Sequence, residues 1–310
     1  MLALIGIVLV FVAVFGGYIL ESGNPYVLMQ PAELLIIGGA AAGMVMVANP
    51  PSVIRRMAHG ILSAFRPPAY TRALFLERLR MLYEMFMFAR RAGITELEQD
   101  AEEPTRSRIF SNYPGFLADR AACGFVCDSL RILVIGATTP YDLDRLMDLD
   151  IEVQRRGHHQ PVTALTGVAD SLPGLGIVAA VLGVVITMEA IGGSPDKIGP
   201  KIAAALVGTF LGIFLCYGVV GPLAARLEHL NEGRTQLLQV LRTGMVSFAY
   251  GASPILAVEY ARRSIPVEQR PSFTEMESNI RRSARIPTVA VPGASDPAAQ
   301  EGHVVQPASA

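Results

Sequence analysis

The chain has 310 residues, of which 51% are hydrophobic, and its mean hydropathy is +0.40. That composition is too apolar for an ordinary soluble domain and indicates an integral membrane protein. The net charge of −1 excludes the strongly basic surface typical of proteins that bind nucleic acid, so no nucleic-acid partner is expected.

Apolar runs of spanning length occur four times along the chain. A helix needs about 20 apolar residues to cross a bilayer. The predicted transmembrane helices are residues 1–20, 32–49, 171–191 and 202–221. They pair into two hairpins, at residues 1–50 and 170–222. We interpret the first run as a retained helix, because it lacks the basic start of a signal peptide.

Residues 51–169, between the hairpins, are predicted to form a large helical domain in the cytoplasm. Apolar residues recur there at helical spacing, and no alternating strand pattern of useful length appears. The predicted fold class is therefore an all-α integral membrane protein with four transmembrane helices. Gly93 is the expected end of the first helix, and Thr139 is the expected N-cap of the third, before Pro140. The three predicted helices are residues 70–93, 114–136 and 138–157.

The chain beyond the fourth span divides into two parts. Residues 223–286 are predicted to be a cytoplasmic helical region that continues the fourth span. Residues 287–310 are rich in Pro, Ala and Gly and have few large apolar groups, so they are predicted to be a disordered tail.

Arginine positions predict the orientation in the membrane. Residues 51–169 contain 15 Arg and residues 222–310 contain 9, whereas the short connectors at 21–31 and 192–201 contain none. Because positive charge is enriched on the cytoplasmic side, the long segments and both termini are expected in the cytoplasm.

Candidate metal or catalytic residues are few. Cys123 and Cys127 lie four residues apart with no further Cys or His nearby, so buried apolar packing is favoured over a metal pair. His158 and His159 are adjacent and are interpreted as a loop-like surface pair. No Walker-type loop, metal-ligand cluster or nucleophile constellation is evident, so neither an enzyme nor a cofactor is predicted.

Small or polar residues form a stripe on each of the last two spans. One interpretation is packing between these two spans, and the other is contact with a guest helix from another chain. The stripes contain Gly176, Ala180, Gly183 and Thr187 on the third span, and Ala205, Thr209, Gly212 and Cys216 on the fourth.

Each of these spans also carries a proline at its cytoplasmic boundary. Pro173 is expected in the first turn of the third span, and Pro222 follows the fourth, where it can bend the helix. Simple helix punctuation accounts for both prolines, and the functional alternative is a paired hinge at the inner mouth.

Ionisable side chains are scarce in the spans. Glu33 and Glu189 are expected near the outer ends and Asp170 at the inner boundary, so no acid is predicted at mid-depth. Thr209 and Ala180 are expected there instead. A hydroxyl can hydrogen-bond a carboxylate but cannot store a proton at physiological pH. If the spans line an ion path, the titrating acid must therefore come from a partner.

Long stretches of the chain resemble the MotA-like flagellar stator family. They are "VFGGYILESGNPYVLMQPAELLIIGGAAAG", "DSLPGLGIVAAVLGVV", "VGTFLGIFLCYGVVGPLA" and "RPSFTEME". The resemblance extends from the start to about Asn279. It is more distant to TolQ and ExbB, which usually have three spans.

The resemblance implies an assembly in the bacterial inner membrane, in contact with lipid. It implies a pentamer of this chain around a MotB dimer, whose helices supply the ion-binding aspartate. In that assembly Thr209 and Ala180 lie near the aspartate, Tyr217 lines the inner path, and Pro173 and Pro222 couple ion occupancy to movement. The glycines implied to pack around the partner helices are Gly176, Gly183 and Gly212.

The resemblance also implies the ion and the rotor contact. Sodium-driven relatives typically have a threonine where this chain has Ala180, and alanine offers no oxygen to Na⁺, so the transported ion is predicted to be H⁺ rather than Na⁺. Arg90 and Glu98, with Arg91 beside them, match positions that engage charges on the rotor protein FliG.

Two alternative functions stay open on the sequence. One is an energiser subunit of the TolQ or ExbB kind, which powers an envelope process other than swimming. The other is a structural membrane scaffold that conducts no ions.

Overall fold

The computed structural model describes residues 2–66, 70–136, 138–188 and 198–284. All regular structure within these ranges is helical, which confirms the predicted all-α class. The predicted disordered tail at 287–310 and the predicted end of the third span, including Glu189, lie outside the described residues.

Within the described ranges, four helices are long and apolar enough to cross a membrane, as the sequence predicts. The first hairpin is built from α1 and α3, with the short α2 between them, and the second from α9 and α10. A π-helical turn, Cys216–Val220, joins α10 to α11. The helices are α1 (Leu2–Leu20), α2 (Pro25–Leu28), α3 (Pro31–Ala48), α9 (Pro140–Met188), α10 (Ile198–Leu215) and α11 (Gly221–Ala249).

Helix α9 is one continuous helix of 49 residues, about 74 Å long. Two predictions are therefore wrong. The third cytoplasmic helix does not end at residue 157, and Pro173 lies inside α9 rather than in the first turn of a separate span. Local signals mislead here, because Gly157 and the prolines read as helix ends when tertiary contacts are ignored.

Helix α9 continues through Pro161 because side chains from other helices bond to its carbonyl groups. Pro161 has no N–H for the carbonyl of Gly157, four residues earlier. Arg56 of α4 (Pro51–Ala64) supplies a donor, since its Nη1 lies 2.9 Å from Gly157 O. The next carbonyl, that of His158, accepts from Asn231 Nδ2 at 2.7 Å. The proline is thus held at a junction of α4, α9 and α11.

The predicted loop-like histidine pair is wrong, because His158 and His159 both lie within α9. His158 Nε2 is 3.1 Å from Arg234 Nη1 of α11. Burial, and then the positive charges of Arg234 and Arg56, lower the pKa of His158. Its ring is therefore neutral near pH 7, and Nε2 accepts the guanidinium hydrogen bond.

The domain predicted to lie in the cytoplasm contains shorter helices on either side of the second membrane hairpin in sequence. The predicted helix 70–93 is confirmed, and it ends at Gly93, whose φ of 104° suits glycine. The predicted helix 114–136 is split, because Asp119 leaves helical geometry and caps the second part by accepting from Ala122 N at 3.2 Å. The domain's helices are α4, α5 (Arg72–Ala92), α6 (Glu98–Glu102), α7 (Pro114–Ala118), α8 (Arg120–Ile135), α12 (Pro254–Arg263) and α13 (Phe273–Ala284).

Two predicted features next to the membrane helices are confirmed. Asp142 N donates to Thr139 Oγ1 at 3.2 Å, so Thr139 caps the start of α9. Helix α11 continues the path of α10 beyond the predicted span for 29 residues. Helix α4 is absent from the sequence predictions.

The core of this helical domain attaches α5 to α11. Phe86 of α5 stacks on Phe248 of α11, with ring centroids 4.5 Å apart. A Cβ added to Gly244 would lie 2.9 Å from Leu82 Cδ1, so α11 approaches α5 closely because this position has no side chain. The helix that continues α10 is therefore anchored in a packed core, which resists deformation.

Cys123 and Cys127 lie in this core, with their Sγ atoms 4.0 Å apart. Both thiols are free and buried, which confirms the apolar packing prediction. No group of metal-binding side chains occurs among the described residues. Burial raises the pKa of the Cys127 thiol to about 12.

The raised pKa predicts that Cys127 reacts very slowly with a maleimide at pH 7. Compared with an ordinary thiol, its thiolate fraction at that pH is lower by roughly three thousandfold. Mass spectrometry of the labelled native protein measures the rate, with a cysteine introduced at the exposed Gln99 as the control. Equal labelling of the two positions contradicts the buried arrangement.

Candidate functional site

Helices α9 and α10 cross at a contact made almost entirely of backbone. A Cβ added to Gly212 would lie 2.5 Å from Leu172 O and 2.9 Å from Gly176 Cα. One added to Gly176 would lie 2.8 Å from Gly208 O. Real Cβ atoms do not approach other atoms this closely, so the crossing requires glycine at both positions.

The contact continues along the two helices to Gly183 and Ala205. A Cβ on Gly183 would lie 2.9 Å from the Ala205 methyl group. Gly176, Gly183 and Gly212 therefore pack inside the pair, as the first interpretation of the small residues predicts. In the described structure these three glycines lie in the contact between α9 and α10 of one chain. Their implied contact with partner helices stays a prediction.

Two of the residues implied to form the ion path come together at this crossing. A Cβ on Gly208 would lie 3.2 Å from Ala180 N, and Thr209 follows Gly208 directly. Ala180 and Thr209 are both half-buried in the single chain. Tyr217 lies eight residues beyond Thr209, or about 12 Å along the helix, and is 74% exposed.

Tyr217 belongs to the π-helical turn that precedes Pro222. Gly221 N–H bonds to Cys216 O, five residues earlier, instead of the residue four earlier. This wider turn accommodates the missing N–H and the ring of Pro222 while the helix continues into α11. Pro173 lies on the neighbouring helix α9, where no helix break occurs. The hinge role of the two prolines stays a prediction.

An aromatic cluster, which the sequence reasoning missed, attaches α1 to this pair. Phe11 of α1 meets Phe214 of α10 edge to face at 5.0 Å, and Phe15 meets Phe214 in the same way at 5.5 Å. Such pairs contribute about 0.5–1.5 kcal/mol beyond their area burial. The remaining surface of α1 is largely exposed in the single chain.

The sequence analysis also did not predict that Glu33 is buried. The position near the outer end of its span does predict a place close to water. The side chain is instead only 6% exposed, and Oε2 has no hydrogen-bond partner among the described residues. It lies against Gly208, at the crossing of α9 and α10.

Arg90 and Glu98 lie near the junction of α5 and α6. Arg90 is in the last turn of α5 and Glu98 begins α6. Both are exposed, as is Arg91. None of the three makes an ion pair with another residue in the described part of the chain. Their charges are therefore available to an external surface.

Family models match two parts of the chain. Residues 4–93 match the model described as motility protein A N-terminal. Residues 119–240 match the model of the MotA/TolQ/ExbB proton channel family. The two matches include α3, α9 and α10 and most of α1.

Relatives match along nearly the whole chain. Motility protein A of Salmonella typhimurium is 39% identical over 281 residues, which cover 91% of this chain and 95% of the relative. Chemotaxis protein LafT of Vibrio parahaemolyticus is 35% identical over 273 residues, covering 88% and 96%. A chain in the solved flagellar MotAB stator complex from Bacillus subtilis superposes with a TM-score of 0.70 at 26% identity, covering 86% of this chain and 97% of that one.

The crossing predicts a large difference between two neighbouring glycines of α9. In Gly176→Ala the new methyl group meets backbone atoms of α10, and we expect a loss of about 1–3 kcal/mol of stability. In Gly174→Ala the methyl group meets nothing within 4 Å in this chain, so Gly174→Ala is the matched control. Thermal unfolding of the purified chain in detergent measures both variants. Equal unfolding temperatures contradict the backbone contact.

Proposed function

The chain belongs to the motility protein A family, within the MotA/TolQ/ExbB proton channel family, and we propose that it is the ion-conducting stator subunit of a bacterial flagellar motor. The observation that carries this function is the 39% identity to motility protein A, because it is spread over 91% of this chain. It therefore includes both membrane hairpins and the cytoplasmic domain.

The chain is a multi-pass inner-membrane protein with four membrane helices. Both termini and the large helical domain are placed in the cytoplasm by our proposal. The support is the distribution of arginine, with none in the two short connectors.

The partner in our proposal is a MotB dimer, around which five copies of this chain assemble. The related Bacillus subtilis chain was solved as a MotAB stator complex. The single chain also leaves apolar residues of α9 exposed, among them Val178, Val181 and Val185. Neighbouring subunits, partner helices and lipid cover this face in the assembly.

The partner's aspartate carries the transported ion in this mechanism, and this chain shapes the path. The Thr209 hydroxyl donates a hydrogen bond toward the carboxylate or orders water next to it. Ala180 leaves the opposite wall without an oxygen ligand, which favours protons over sodium. Tyr217 continues the polar path toward the cytoplasm, two helical turns further on.

Ion binding then changes which arrangement of α9 and α10 fits the partner best, with Pro173 and Pro222 as the hinge. The movement passes through α11 to the packed cytoplasmic core, where Phe86 and Phe248 stack. One charge crossing 100 mV supplies roughly 2.3 kcal/mol, enough to shift a two-state equilibrium by more than tenfold.

In our proposal Arg90 and Glu98 contact the rotor protein FliG and transmit the movement to it. Their charges are exposed and unpaired within the described part of the chain, so an opposite charge on another protein can engage them. Exposed pairs contribute only about 0.2–1 kcal/mol each, which suits a contact made and released at every step.

The energiser function of TolQ and ExbB is not favoured. The curated relatives with the higher identities are motility and chemotaxis proteins, and the N-terminal model is that of motility protein A. The motor-speed measurement described next distinguishes a stator from a scaffold that conducts no ions.

Motor rotation is predicted to depend on protons and not on sodium. This chain and its MotB partner are co-expressed in a motility-deficient host, and single-motor speed is measured as sodium varies at fixed proton motive force. We expect constant speed, and complete loss after a protonophore is added. Sodium dependence contradicts the ion assignment and the role of Ala180. Absence of rotation despite correct assembly contradicts the stator function.

Reversal of the rotor-facing charge is predicted to weaken torque without loss of assembly. In Arg90→Glu the cation becomes an anion, so attraction to the rotor becomes repulsion and motor torque falls. Adding Glu98→Lys reverses the second charge and lowers torque further. Reversing the rotor charge that faces position 90 restores attraction and raises the torque of Arg90→Glu. Arg263→Glu, at an exposed arginine of α12, is the control. Equal torque in Arg90→Glu and wild type contradicts the contact.

A further inference from the structure

Glu33 has an environment that packing alone does not explain. It begins the buried face of α3, followed by Ile37, Ala41 and Val45 at intervals of four residues. The rest of that face is apolar and packs on α9 and α10. A carboxyl group at its head, only 6% exposed, is the most polar group in the contact.

The carboxyl oxygen lies at a specific place in the crossing. A Cβ added to Gly208 would lie 2.7 Å from Glu33 Oε2, 3.2 Å from the Ala179 methyl group and 3.2 Å from Ala180 N. Oε2 therefore occupies the space that any side chain at position 208 would fill. Because Thr209 and Ala180 adjoin this point, Glu33 reaches the level of the membrane where the partner's aspartate is proposed to bind its ion.

This oxygen has no hydrogen-bond donor among the described residues. An isolated ionised carboxylate is very costly in apolar surroundings, so such a group binds a proton or another cation, or pairs with a fixed charge. Acids buried in membrane helices occur mainly in proton relays and ion paths.

We propose that Glu33 is a proton-binding carboxyl of this chain, a relay site at the outer part of the ion path next to Thr209 and Ala180. A carboxylate oxygen takes one proton from a hydronium ion on the outer side, so an O–H bond of hydronium breaks, water is released and the carboxyl O–H bond forms. The same bond breaks when the proton passes to water or to the partner's carboxylate. Gly208 is a positioning residue, because its lack of a side chain admits the carboxyl group. This inference rests on the proposed stator function.

The first test compares Glu33→Gln with Glu33→Asp in the assembled complex. Glutamine keeps the size and hydrogen-bonding capacity but cannot bind the proton, whereas aspartate keeps the acid. A positioned proton-transfer group contributes on the order of a hundredfold or more in rate, so we expect Glu33→Gln to lower motor speed and proton influx at least tenfold. Glu33→Asp retains measurable rotation. Glu21→Gln, at an exposed acid of the connector that precedes α3, is the matched control.

The second test does not depend on rotation. Infrared difference spectra of the purified complex, in H₂O and D₂O, detect the C=O stretch of a protonated carboxyl group. We expect a band that is present in wild type, shifted in Glu33→Asp and absent in Glu33→Gln. If Glu33→Gln fails to assemble, the shift between wild type and Glu33→Asp decides. A band that is the same in all assembled variants overturns the proposal, as does normal rotation of Glu33→Gln.

These outcomes separate the relay from the stator function. If the wild-type complex does not rotate, the proposed stator function fails. If the wild type rotates and Glu33→Gln rotates equally well, only the relay fails. A carboxyl band that responds to sodium and not to pH overturns the proton assignment at this site.

Discussion

The contact of backbone on backbone between α9 and α10 is the constraint on which the rest of the membrane region depends. Gly176 and Gly212 lie so close that neither can carry a side chain. In a bilayer no hydrophobic effect drives helices together, so close approach and dispersion contacts must hold the pair. The same approach creates a narrow place at Gly208, into which the Glu33 carboxyl group enters from α3.

Continuity of two long helices carries this arrangement out of the membrane. Pro161 and Pro222 are each accommodated, but by different means. At Pro161 a side chain from α4 donates to the carbonyl group that the proline leaves unpaired. At Pro222 the helix widens into a π-helical turn. The first is fixed by tertiary contacts and the second is local, which makes the π-helical turn the more deformable of the two.

Charged side chains are scarce in the membrane helices, so the few polar groups there determine where an ion or water can be bound. Thr209 offers a hydroxyl and Tyr217 a phenol, and each can donate and accept hydrogen bonds. Glu33 is the acid that the described membrane helices bury, at Gly208 and Ala179. The junction of α5 and α6 is the opposite case, because Arg90 and Glu98 are exposed there and their charges are free to meet another surface.

The sequence by itself determined the number of spans, the all-α class, the caps at Gly93 and Thr139 and the apolar role of the cysteines, because apolar length, periodicity and cap chemistry are local properties. Tertiary structure decided that helices continue through positions where the local sequence predicts an end. Gly157, Pro161 and Pro173 read as punctuation, yet α9 runs through them because Arg56 and Asn231 bond to its carbonyl groups from distant parts of the chain. It also decided that Glu33 is buried, since the depth of a side chain depends on the helices packed around it and not on its distance from the end of its own helix.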